Sequence, residues 1–328
     1  MKIIKYLCVV LPILMLTIAA FGLYLNRGLP HEIKPAKLTC LDLSEGTIIA
    51  FDTVPENIYG VGLAYAGHIN ETASEFDPSG DPPIFQKSLS SITNDGARVK
   101  IPSHEELIFA LEQHESGISE NLKNIKNLPA LLDYETEMGF VLLEDIANGQ
   151  LSDDNFIPKI GFFMANDFGA RSVAIMGEGQ SNRYDYWGIS KSFPGFTPMS
   201  EQMWIPHEFQ ANAIPCIIVE TLVNGEVRQH QTTADLIYTP LQMLQAIQRK
   251  YPKAALKKGD LVLTGTPAGV IMSAPRWMMR AAAIIGLDRI DKLKAKIGES
   301  EVAKFLQTGD KVTVRGDGLG SVSVTISE

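Results

Sequence analysis

Two short patterns in this chain hold residues able to carry proton or metal chemistry. In Leu132-Asp133-Tyr134-Glu135-Thr136-Glu137-Met138-Gly139-Phe140-Val141, two glutamates alternate just ahead of an apolar run. Alternate side chains of a strand share a face, so Glu135 and Glu137 would point the same way, roughly 7 Å apart. Two carboxylates at the mouth of a core are costly unless a cation or a proton neutralises them. On a solvated edge the same pair would be ordinary surface residues. In the second pattern, Gly67-His68-Ile69-Asn70-Glu71, a helix starting after Gly67 puts His68 and Glu71 three apart on one face. The carboxylate would then fix the imidazole tautomer and raise its basicity, which is a general-base arrangement. A surface or capping contact uses the same spacing. Further charged residues stand at the ends of apolar runs: Lys87 after Ile84-Phe85-Gln86, Asp167 after the run starting at Ile160, and Arg171 four positions on. Lys191 lies among aromatics and prolines. An aspartate in such a place also serves as a turn or cap residue.

Several elements must position these groups. The E-x-E stretch reads as a strand entering a core. Residues 103–127 read as a mostly polar helical segment, with Ser103 as N-cap and Glu106 as its capping-box partner. Residues 217–223 and 226–231, joined by Asn224-Gly225, predict a hairpin with a type I′ turn. Residues 241–250 form a short amphipathic helix. Gly259-Asp260-Leu261-Val262-Leu263-Thr264-Gly265-Thr266-Pro267-Ala268-Gly269-Val270 is a strand running into a glycine turn. It lacks the Gly-Lys-Ser/Thr of a nucleotide P-loop, but N–H groups exposed at Thr264, Gly265 and Thr266 could cradle a carboxylate. Segments 309–314 and 321–326 supply the last strands. With 27 glycines and 18 prolines, a strand-rich α+β protein is expected over a helical bundle.

At 328 residues and 45% hydrophobic composition the chain can bury a large core. A net charge of -9 and the lack of a basic stripe with interleaved aromatics argue against a nucleic-acid partner, which needs a basic face. Cys8 sits in the apolar N-terminal run, so Cys40 and Cys216 leave room for at most one pair below it. No zinc-type spacing occurs. Residues 6–25 carry no charge and follow Lys2 and Lys5, which predicts an N-terminal single-pass transmembrane helix and a membrane localisation. A cleaved signal at Ala20-Phe21-Gly22, with export, is the alternative. Arg27, Lys34 and Lys37 balance the first two lysines, so the side of the membrane stays open. The expected organisation is 1–25 anchor or signal, 26–50 linker and start of the N-terminal region, and 51–328 catalytic domain.

Taken in order, these stretches resemble the fumarylacetoacetate hydrolase family. The matches are G-x-x-Y-x-x-H-x-x-E at 62–71, F-x-K at 85–87, L-D-Y-E-x-E at 132–137, N-D-x-x-A-R at 166–171 and K-S-F at 191–193. Asn224-Gly225-Glu226, Gly259-Asp260, the Thr264–Val270 turn and Gly309-Asp310 complete the series. The resemblance implies a mixed β-sandwich roll and a homodimer. It implies that Glu135, Glu137 and Asp167 bind Mg²⁺, with Mn²⁺ or Ca²⁺ as alternatives suited to oxygen ligands. It also implies His68 and Glu71 as the base that activates water and Lys191 as the cation facing the developing oxyanion. Arg171, Lys87, Thr264, Gly265 and Thr266 would hold substrate or neighbouring loops. The expected activity is metal-dependent hydrolysis of a C–C bond in a β-diketo or 2-oxo acid, such as an acylpyruvate. A decarboxylase, hydratase or isomerase of 2-oxo acids is the alternative, and a non-catalytic binding protein the remote one. Ala64 and Ala174 depart from the family, where Asn and Gln are frequent. Residues 103–127 and 271–304 look like insertions, and the apolar stretch 277–287 within the second either roofs a pocket, touches a membrane or packs on the core.

Overall fold

In the computed structural model of the chain the described residues are 33–71, 79–147, 149–271 and 286–328. They build a mixed α/β fold around two sheets. The larger has seven strands in the spatial order Gly46–Ala50, Gln202–Pro206, Ile160–Asn166, Thr136–Leu142, Leu261–Leu263, Ile58–Val61, Ile84–Lys87. The smaller has five, in the order Glu226–Thr232, Ile218–Val223, Lys311–Gly316, Gly320–Ser327, Arg98–Lys100. Most neighbours are antiparallel; Leu261–Leu263 with Ile58–Val61 and Gly320–Ser327 with Arg98–Lys100 are parallel.

Thr136–Leu142 is the central strand of the larger sheet, paired antiparallel to Ile160–Asn166 on one side and to Leu261–Leu263 on the other. Met138, Phe140 and Leu142 point into the main apolar cluster, together with Phe162, Met164 and Val219. There the strand packs against the smaller sheet. Val141 belongs to a second cluster with Phe163 and Leu263. A strand covered on both faces buries all seven of its residues, so the period-2 alternation delivers Glu137 to an interior and not to an edge.

Local signals formed as the sequence predicted. Ser103 Oγ accepts from Glu106 N at 3.3 Å and Glu106 Oε2 accepts from Ser103 N at 2.8 Å, which opens the helix His104–His114. Asn224 and Gly225 adopt φ 53° and 86°, joining the hairpin with Val223 opposite Glu226. Cys40 and Cys216 form a disulfide across 176 residues of sequence. It sits beside the parallel pairing of Thr39–Leu41 with Ala213–Pro215. Of the second insertion, the described part packs on the core: Leu293 in helix Arg289–Lys296 is buried, and Arg289 pairs with Glu115.

One expectation is corrected. Among the described residues no helix is long and apolar enough to cross a membrane. Their longest helices have 11 residues, roughly 16 Å of rise, against a hydrocarbon core of about 30 Å. The 6–25 run that prompted the expectation lies outside the described residues. The single-pass anchor and the membrane localisation are therefore withdrawn, and the fold is described as the α/β domain alone. Most of the apolar stretch 277–287 also lies outside the described residues.

Candidate active site and metal centre

The ladder itself brings the acidic residues together. Asn166 Oδ1 accepts from Glu135 N at 2.9 Å, and Asp167 N donates to Glu135 O at 2.8 Å. This extends the pairing of Thr136 with Asn166 by one residue and sets Asp167 beside Glu135. Carboxylate oxygens of Glu135, Glu137 and Asp167 all lie within 4.8 Å of one another, and all three residues are buried.

Three cations converge on them. Lys191, at the C-terminal end of helix Arg183–Ser190, places Nζ 2.7 Å from Glu135 Oε2 and 2.6 Å from Asp167 Oδ2. Lys87, at the end of the edge strand Ile84–Lys87, pairs with Asp167 Oδ1 and donates to Phe196 O at 3.2 Å. Arg171 donates from Nε to Asp133 Oδ2 at 2.8 Å and from Nη2 to Glu135 Oε1. Four buried acids, counting Asp133, thus face Lys87, Arg171 and Lys191.

The charges divide the acids sharply. Burial raises the Glu135 carboxyl, but the charges of Lys191 and Arg171 outweigh it and hold the group down at about 2. Glu137 is pushed well above the usual carboxylate range by burial and then by the neighbouring charge of Asp167. Burial also raises Asp133, against the pull of Arg171. Lys87 is lowered by its burial, which Asp167 offsets only in part. Burial opposes the Lys191 ammonium as well, yet the charges of Asp167 and Glu135 raise it on balance.

The remaining sequence candidates fall around this centre. His68 is buried in the short helix Ala66–Glu71, within electrostatic reach of Glu135. The side chain of Glu71, its expected partner, lies outside the described part of the chain. The glycine turn does cradle a carboxylate, and it is the protein's own: Gly265 N donates to Glu137 Oε2 at 2.8 Å. Gly265 has φ +90°, a conformation that costs a side-chain-bearing residue and leaves its N–H free to face inward. Thr264 Oγ1 donates to Met138 O at 2.6 Å and Thr266 Oγ1 to Thr136 O at 3.1 Å. Two participants had no role in the sequence reading. Asp133 extends the 135/137 alternation by one step, and that spacing was its signal. Gln229, in a strand of the smaller sheet, gave none.

Three buried hard oxygen donors so close together, with one acid more than there are lysines and arginines to offset it, fit a small divalent cation. Glu135, Glu137 and Asp167 are the residues that would hold it. Because Glu137 is raised well above its ordinary value, the metal-free centre holds a proton that a cation must displace. Affinity for Mg²⁺ is expected to rise with pH until Glu137 has ionised, with net proton release on binding below that point. Calorimetry in buffers of different ionisation enthalpy measures this, and a pH-independent affinity without proton release would contradict the assignment.

Residues 57–327 match the family described as Fumarylacetoacetate (FAA) hydrolase C-terminal. Oxaloacetate tautomerase YisK of Bacillus subtilis (strain 168) is 26% identical over 270 residues, covering 82% of this chain and 68% of that protein. Among solved structures, the fumarylacetoacetate hydrolase EaFAH of psychrophilic Exiguobacterium antarcticum superposes with a TM-score of 0.54 at 23% identity, over 84% of this chain and 76% of that one. The 5-carboxymethyl-2-hydroxymuconate delta-isomerase of Mycobacterium smegmatis gives 0.52 at 20%, over 84% and 79%. At these identities the structural likeness speaks for the fold. The family match spans most of the chain, and it agrees with the motifs that meet at the carboxylate centre. The chain belongs to the fumarylacetoacetate hydrolase family.

Proposed function

We propose that this chain is a Mg²⁺-dependent enzyme that moves a proton at the carbon next to the keto group of a small 2-oxo acid, as a tautomerase or isomerase does. The observation that supports it is the placement of buried His68 within electrostatic reach of the Glu135–Lys191–Asp167 cluster. A bound divalent ion would supply Lewis-acid polarisation of the keto and carboxylate oxygens. Lys191 adds a fixed positive charge where enolate oxygen charge develops. His68 takes the proton from carbon and returns it, to carbon or to oxygen, without net change in the protein. Arg171, occupied by Asp133 and Glu135, orients the carboxylate cluster. The likeness to an oxaloacetate tautomerase over 82% of the chain favours enolisation as the reaction.

C–C hydrolysis of an acylpyruvate is the second reading. It needs the same enolate and, in addition, a water activated for attack on the second carbonyl. His68 stands three residues before Glu71 on one helix, the spacing that general-base activation of water would use. The homodimer implied by the family remains part of this proposal.

The test supplies enol oxaloacetate and acetylpyruvate separately, with Mg²⁺ and then with EDTA. EDTA-sensitive conversion of enol to keto without carbon loss supports the first reading. Formation of acetate and pyruvate supports the second. A folded, Mg²⁺-binding chain inert towards both would overturn the two together. His68→Ala is expected to lower the active reaction by about 10²- to 10⁴-fold, the usual weight of a positioned acid–base group. Mg²⁺ affinity should stay close to that of the parent chain, and a variant with full turnover would remove His68 from the chemistry.

A further inference from the structure

Gln229 lies on the side of the strand Thr136–Leu142 opposite Glu137, in the strand Glu226–Thr232 of the smaller sheet. It is 1% exposed. Its Oε1 accepts from Thr136 N at 2.9 Å and from Thr221 Oγ1 at 2.7 Å. Its Nε2 donates to Thr266 Oγ1 at 2.8 Å and to Pro267 O at 3.0 Å. Every hydrogen-bonding position of the amide is in use. The orientation of the amide is fixed by chemistry, since a backbone N–H can only donate and a carbonyl can only accept.

The partners are the informative part. Thr136 N belongs to the peptide unit joining Glu135 to Thr136, so Gln229 pins the strand at the residue separating two carboxylates. Thr266 and Pro267 follow Gly265, whose N–H holds Glu137 Oε2. The turn also closes directly on Gln229. A Cβ at Gly269, which has φ +106°, would meet Arg228 O at 2.7 Å and Gln229 Cγ at 3.0 Å. One side chain from the second sheet therefore ties both the strand that carries the glutamates and the turn that aims one of them.

The geometry points to Gln229 as a positioning residue for the carboxylate centre, setting the separation and direction of Glu135 and Glu137 for a divalent cation. The inference rests on the metal reading of that centre but not on which 2-oxo acid is turned over. Outer partners of metal ligands commonly govern affinity by about 10- to 100-fold.

The test measures Mg²⁺ binding to the full chain by calorimetry, well below the unfolding temperature. Gln229→Leu keeps similar volume and removes all four bonds. Val312→Ala truncates a buried residue of the same sheet and serves as the comparison for a purely structural loss. The Kd is expected to rise by about 10- to 100-fold in Gln229→Leu and to stay unchanged in Val312→Ala, although both melt earlier. Equal shifts in the two variants, or an unchanged Kd in Gln229→Leu, would overturn the positioning role. If Gln229→Leu does not fold, Thr266→Val cuts one link of the same chain, and an unchanged Kd there overturns it as well. Absence of Mg²⁺ binding by the parent chain is a different result: it removes the metal reading itself.

Discussion

Glu135→Gln is expected to abolish metal-dependent turnover while leaving the protein folded. Glu135 is held ionised, at about 2, by Lys191 and Arg171 against its burial. The amide keeps the volume and removes the charge. Lys191 retains Asp167 and Arg171 retains Asp133, so neither cation is stranded and the fold survives. The cluster loses one of three anionic oxygen donors, and the two cations that flanked Glu135 now repel an incoming divalent ion with less compensation. Altering an outer partner of a metal ligand commonly costs about 10- to 100-fold in affinity or activity, and the loss of a ligand itself is expected to exceed that. Calorimetric Mg²⁺ binding, turnover and thermal melting should be read together. Undiminished turnover in the folded variant would sink the metal assignment.

The second large effect concerns stability. Cys216→Ser opens a loop spanning 176 residues, and the chain-entropy account of such a closure gives about 5 kcal/mol. Against a total stability of roughly 5–15 kcal/mol for folded domains, that is a large fraction. Chemical denaturation should show a midpoint far below that of the oxidised parent, and treating the parent with reductant should reproduce it. A variant with the parent's midpoint would mean that the pairing of Thr39–Leu41 with Ala213–Pro215 holds this region without the covalent link.

What the sequence disclosed follows from how local each signal is. The Ser103–Glu106 capping box and the Asn224-Gly225 turn depend on residues within a few positions, and both were readable. The alternation of Glu135 and Glu137 was readable as a shared face. That the face is buried depends on distant elements that cover it, among them the end of helix Arg183–Ser190 that brings Lys191 to Glu135, which no window around residue 135 contains. The E-x-E motif thus names two members of the centre, whereas the convergence of Lys87, Asp167 and Lys191 is set by the fold and is legible in the sequence only through the family resemblance. Arg171 reads in the sequence as a group for substrate or neighbouring loops, and its contacts to Asp133 and Glu135 come from segments 36 to 38 residues away. Gln229 was invisible for a plainer reason: a polar residue in a hairpin strand looks solvent-facing until its neighbouring sheet is known. The apolar 6–25 run shows the converse, since its composition suggested a membrane span that finds no counterpart among the described residues.

The Cys40–Cys216 link also decides where a pull on the chain would be felt. Tension entering from the N-terminal side passes through the sulfur bridge to Cys216 and on into the strand Ile218–Val223. The chain between the two cysteines, roughly 600 Å if fully drawn out at about 3.4 Å per residue, carries none of that load. His68, Lys87, Glu135, Glu137, Asp167, Arg171 and Lys191 all lie within this shielded span. Gln229 and the Thr264–Thr266 turn lie beyond it, on the loaded side. Stretched from its ends, the oxidised protein would keep the chain that carries its charged cluster slack, while the segments beyond Cys216, Leu261–Leu263 of the larger sheet among them, took the strain.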